Sequence, residues 1–295
     1  MLNCLPVSGR NYPVKKNNCN RRKFRKNTLL KGAVFAAGTF LAACGGGGGG
    51  GTNGAINPGL TTLDQSLDLT RQISVSSAGV PSEAWLVIYE DNGGVPAATT
   101  VAIKGLAPAS YSDLKVGLDR PAIHGELFHA ILHDDLGAVG TWEPGIDTPM
   151  LDDMSSPVAD SLVVSVSVGT PDVRLTVSNV GDIDYRWIAV EPGIVTGVVT
   201  VGTRDPILTL FLDERYEIVN LARSDHPFEL MTAGSTQTLL SEEVAGTLEA
   251  DVGIDWTDNG SGIIRFTATA TLDASLGAYR CFEHPVDMLG TAGIQ

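Results

Sequence analysis

The chain of 295 residues is poor in several residue types, and each shortage excludes something. Aromatic residues make up 6 % of the sequence. Basic residues are almost absent after residue 43: nine of the 20 Lys and Arg lie within the first 43 residues, which carry no Asp or Glu. The remainder has 11 basic residues against 34 acidic ones, a net charge near −23. Such a surface repels phosphate backbones and anionic headgroups, which excludes a nucleic-acid partner. No His-x-His pair, Gly-x-Ser-x-Gly or His-Glu-x-x-His occurs, so a trinuclear copper oxidase centre, a nucleophile elbow and a zincin helix are all missing. These gaps point to a binding or electron-transfer protein rather than an enzyme.

Long apolar runs are also missing. The longest, Leu29 to Ala43, is too short and too rich in Gly and Ala for a good membrane span, which needs about 20 strongly apolar residues. It follows the basic run Arg21 to Lys26 and ends in small residues, the order of an export signal over 1–43. Seven glycines, 45–51, come next, and residues 44–67 are expected to form a flexible tether. The junction Leu41-Ala42-Ala43-Cys44 resembles the lipobox of bacterial lipoproteins. That resemblance implies cleavage before Cys44, lipidation of its thiol and a membrane-anchored, extracytoplasmic protein. Gly45 rather than Asp after the cysteine resembles the pattern of Gram-negative lipoproteins sent on to the outer membrane.

Cysteine is the scarcest informative residue. Cys4 and Cys19 would leave with the signal and Cys44 would carry lipid, so Cys281 remains as a lone thiol in an oxidising compartment. Such a thiol is buried and inert, paired between chains, or bound to something.

What is present is strand pattern. Ile73 and Val75, Leu114 to Leu118, Val164 to Val168, Val173 to Val177, and Ile264 to Leu272 alternate apolar with polar residues. Gly, Pro, Asn and Asp clusters separate them, and no long amphipathic helix stands out. About a dozen such strands predict an all-β protein of two sandwiches. The punctuation Val168-Gly169-Thr170-Pro171 sets a boundary, giving domains over 68–168 and 169–295.

The first domain carries Ala84-Trp85-Leu86-Val87-Ile88-Tyr89, the segment Leu114 to Pro121, and Leu127 to Asp135. On these it resembles an uncharacterised β-domain of bacterial and archaeal surface proteins, a family that implies no activity. His124, His129 and His133 with Asp134 and Asp135 suggest a metal cluster at first sight. On a strand, however, 129 and 133 share a face at roughly 13 Å separation and 124 does not join them. Histidines at a sheet edge, followed by a turn, are the expected arrangement.

The end of the chain, Tyr279-Arg280-Cys281-Phe282-Glu283-His284-Pro285-Val286-Asp287-Met288, places thiolate, imidazole and thioether donors in one short loop. Thiolate and thioether favour Cu(I), and imidazole suits both oxidation states. A second imidazole must come from elsewhere, and His226 is the remaining histidine of this half. Zinc would use the thiolate and imidazoles but gain little from the thioether. A buried inert cysteine beside surface histidines is the simpler alternative.

With its upstream histidine and a closing Cys-x-x-His-x-x-x-Met loop, the segment 171–295 resembles the cupredoxins, the small blue copper proteins. The resemblance implies one mononuclear copper site, with His226, Cys281 and His284 equatorial and Met288 axial. It implies one-electron transfer with a redox partner protein; a copper carrier, or a metal-free surface binding module on the same fold, are the alternatives. In many members an asparagine after the first histidine ties the ligand loops together. Pro227 stands there and has no N–H to give, which leaves the tie to be found elsewhere.

Overall fold

The computed structural model describes residues 55–295. The signal over 1–43, Cys44 and the glycine run lie outside the described residues. The described chain is all-β, built as β-sandwiches, with a single four-residue helix among the described residues.

The first eight strands are β1 Gly59–Thr61, β2 Gln65–Ser66, β3 Gln72–Val80, β4 Ala84–Asp91, β5 Pro96–Leu106, β6 Ala109–Gly117, β7 Leu127–Asp134 and β8 Ala159–Ser165. They form a three-stranded sheet, β1-β3-β6, and a five-stranded sheet, β2-β8-β7-β4-β5. Alternation explains the packing: Ile73, Val75, Val116, Leu118, Leu86, Ile88, Phe128 and Val164 all turn into one core. Residues 59–67, expected in the tether, belong to this sandwich instead. β1 pairs with β3, β2 pairs with β8, and Leu67 is buried. Few apolar positions mark this stretch, in which Leu60 is half-buried and Thr62 and Leu67 are buried.

The later elements are β9 Val173–Val180, β10 Asp184–Glu191, β11 Leu208–Leu210, β12 Arg215–Asn220, β13 Phe228–Thr232 and β14 Thr238–Ser241. After them come β15 Thr257–Asp258, β16 Ile263–Thr267, α1 Ala270–Asp273, β17 Leu276–Cys281 and β18 Leu289–Ile294. One sheet runs β10-β9-β12-β16-β15 and the other β11-β18-β17-β13-β14, with β9–β12 and β11–β18 parallel. No sheet takes strands from both sides of Ser167.

Two expected strands are shorter than their pattern. β8 stops at Ser165, and Val168 is wholly exposed in the connection to β9. The run Ile264 to Leu272 leaves the sheet after Thr267. Thr269 caps α1, its hydroxyl accepting from the Leu272 N–H at 3.3 Å. Ala268, just before the cap, and Leu272, on the inward face of α1, are both buried nonetheless.

The halves meet through polar groups. Arg71 pairs with both oxygens of Glu214, the Thr70 N–H donates to the Pro171 carbonyl at 3.0 Å, and the Thr70 hydroxyl donates to Asp172. The second core centres on Trp187, Tyr185, Tyr216, Tyr279, Phe228 and Phe266, all fully buried or nearly so. Gly290 on β18 lies so close to the Tyr279 ring that a Cβ there would sit 2.2 Å from Cζ. Only glycine admits this approach, which seats the aromatic cluster directly beneath the loop between β17 and β18.

Candidate metal centre

Strand register brings the distant ligand segments together. β13 and β17 are antiparallel with Phe228 opposite Cys281, so the segment just before Phe228 lies beside the end of β17. On β17, Tyr279 and Cys281 point into the core while Arg280 points away to Glu229, its Nε donating at 2.8 Å. His226 ends a single helical turn after β12, its N–H donating to the Ala222 carbonyl at 2.8 Å. The loop after β17 closes on itself: Cys281 N–H donates to the Met288 carbonyl at 3.0 Å and Met288 N–H to the His284 carbonyl at 3.1 Å.

Three of the four expected ligands converge. His226 Nδ1 lies 3.1 Å from His284 Nδ1, and the Cys281 Sγ lies 3.7 Å from the first and 3.6 Å from the second. A triangle with these edges has its centre about 2 Å from all three atoms, close to the ~2.0–2.3 Å of metal–nitrogen and metal–sulfur bonds. The donor set therefore fits one small ion. His226 and Cys281 are buried and His284 is half-buried. Met288 is fully buried in the same core cluster as Cys281.

The surroundings shift both buried donors toward their neutral forms. Burial, and then the neighbouring His284, hold His226 below the usual histidine range, which favours the neutral ring that can donate to an ion. Burial pushes the Cys281 thiol up, opposed by the N–H groups of His284 and Glu283 and by the Tyr185 hydroxyl. The far nitrogen of His226, Nε2, faces Asp182 at 3.7 Å.

The tie between the ligand loops runs opposite to the expected direction. Pro227 contributes its carbonyl, which accepts from the Phe282 N–H at 2.9 Å. Behind the site lies a polar network that the sequence did not announce. The His226 carbonyl accepts from the Tyr185 hydroxyl at 2.8 Å and from Asn220 Nδ2 at 2.9 Å. Asn220 Nδ2 also donates to Glu242 Oε2 at 2.7 Å, and the same oxygen takes the Phe228 N–H at 2.7 Å. Burial pushes the Glu242 carboxyl up against these donors. A usable signal was the parity of β12: Tyr216, Ile218 and Asn220 share the inward face, and an amide there demands partners.

The histidines of the first half do not form a comparable cluster. His129 is bonded to Asp91 at 2.9 Å, and His133 lies between the Tyr89 hydroxyl at 3.0 Å and the Asp147 carbonyl at 3.1 Å. Among the described residues, His226, Cys281 and His284 make the one group of three convergent donors.

Residues 58–165 match the family described as Domain of unknown function (DUF7282). No curated protein matches the chain. Among solved structures, the teleost fish polymeric Ig receptor ectodomain is 9 % identical, covering 80 % of this chain and 98 % of its own, at a TM-score of 0.23. A multicopper oxidase from Campylobacter jejuni is 12 % identical, covering 76 % of this chain and 51 % of its own, at 0.16. A laccase from Pediococcus acidilactici is 14 % identical, covering 76 % and 47 %, at 0.19. The chain thus spans about half the length of the two oxidases. At these scores none of the three bears on what the chain does.

Proposed function

We propose that the chain is a lipid-anchored, extracytoplasmic mononuclear copper protein that exchanges single electrons with a redox partner. The observation that carries this reading is the convergence of His226, Cys281 and His284 donors within 3.1–3.7 Å of one another. Copper held there supplies a one-electron couple, and a His₂Cys set with a weak axial thioether suits both of its oxidation states. His226 and Cys281 are buried, and Met288, buried in the same core cluster, would offer its thioether as a further donor. His284, the one half-buried ligand, offers the shortest covalent path to the surface. Cys44 would hold the protein at the membrane, with the first sandwich between anchor and redox site.

Adding Cu(II) to the purified protein and recording its visible spectrum tests this. An intense thiolate-to-copper band is expected, bleached by one electron equivalent per copper and restored by oxidation. Colourless binding of Cu(I) alone would make the protein a carrier instead, and failure to bind either ion would overturn the copper reading.

A further inference from the structure

Two side chains behind the site have no role in holding an ion, yet both grip the residue that does. The backbone of His226 is held at each end: its N–H by Ala222, its carbonyl by Asn220 and Tyr185 together. Two donors on one carbonyl use both of its lone pairs and leave that peptide little freedom to turn. We propose that Asn220 and Tyr185 are positioning residues, fixing the His226 imidazole within bonding reach of the Cys281 sulfur before an ion arrives. The inference rests on the copper reading and names what makes that site rigid.

The placement is costly, which argues against packing as its whole purpose. Asn220 occupies an inward position of β12 that an apolar side chain would fill, and a buried amide is destabilising for each group left unpaired. Here none is: Asn220 Nδ2 serves His226 and Glu242, while Oδ1 accepts from the Ala222 N–H at 3.0 Å. One amide thereby links both ends of the turn that carries His226. Glu242 holds Asn220 and the Phe228 N–H on one oxygen, while its other oxygen is buried without a hydrogen-bond partner. Arg223 Nε stands 3.8 Å from that second oxygen. A buried charge kept at this expense is better explained by the geometry it enforces than by net stability.

Tyr185 adds the link to the other loop. Its hydroxyl sits at the His226 carbonyl, and its ring packs against Tyr279, two residues before Cys281 on β17. Its ring is locked between Phe228 and Tyr279, with centroids at 5.8 and 6.3 Å. The pair of residues therefore adds a second restraint to the one Pro227 makes through its carbonyl.

The test uses Tyr185→Phe and Asn220→Ala, with Cu(II) as the probe. Affinity is measured by chelator competition, the thiolate band by absorption, and stability by thermal melting of the metal-free protein. Each variant is expected to bind copper about 10- to 100-fold more weakly, the usual loss when an outer partner of a ligand is removed. The band should shift and weaken as the site relaxes. Affinity and spectrum within twofold of the parent, in variants that merely melt earlier, would overturn the proposal and leave the two residues as packing. Should Asn220→Ala fail to fold, Tyr185→Phe decides alone, since it removes only an oxygen. A parent protein that shows no band would overturn the copper reading, and this inference with it.

Discussion

Cys281→Ser is expected to abolish the visible band completely while leaving weak, nearly colourless Cu(II) binding at the two histidines. The band requires charge transfer from a thiolate, and Cys281 is the one free cysteine among the described residues. Serine is a harder donor and stays protonated, so affinity for Cu(I) should fall much further than affinity for Cu(II). Burial pushes the thiol of the metal-free protein above its ordinary range, so it is protonated at pH 7. Loading the parent should therefore release one proton per ion at pH 7 that loading of Cys281→Ser does not. The substitution is nearly isosteric and leaves a hydroxyl beside His226 and Tyr185, so the fold should survive it. A residual intense band in the serine variant would assign the colour, and the site, to something else.

The largest effect on stability is expected from Trp187→Ala. Trp187 is fully buried, packs edge-on against Phe228 and Tyr279 at 6.0 and 5.7 Å, and donates its indole N–H to the Tyr279 hydroxyl at 3.3 Å. Emptying such a site costs roughly 3–5 kcal/mol in lost transfer energy and cavity. A domain's whole stability is about 5–15 kcal/mol, so denaturant unfolding should show a midpoint lowered by roughly a fifth or more. The consequence reaches the metal centre because Phe228 stands opposite Cys281 and two residues after His226. Copper should in turn raise the midpoint of the variant, since binding to the folded state alone stabilises it. An unfolding midpoint unchanged by Trp187→Ala would mean that this aromatic cluster is not the floor of the site.

The candidate donors were legible mostly from local sequence. Cys281, His284 and Met288 lie within eight residues, and His226 followed by elimination. The strands were legible wherever one face is buried along the full element, as at Val173, Leu175 and Val177 on β9. Pattern failed at the ends. Alternation continued through Val168 and Leu272, but the chain leaves the sheet before both, and period alone does not tell a strand's last residues from a capped helical turn. Residues 59–67 failed the other way: too few apolar positions marked strands that pairing with β3 and β8 creates. The polar network was beyond reach for a different reason. Tyr185, Asn220, His226 and Glu242 come from four separate segments, and only tertiary packing brings their hydrogen bonds together. An asparagine within β12 reads as an ordinary polar residue until its carbonyl partner is known.

Convergence at one ion is the claim beneath all of this, and X-ray absorption at the copper edge of the loaded protein tests it most directly. A first shell of two nitrogens near 2.0 Å and one sulfur at roughly 2.2–2.3 Å is expected from the His226, His284 and Cys281 donors. A shell of nitrogen and oxygen with no sulfur would contradict it, and would return Cys281 to the core as a buried thiol.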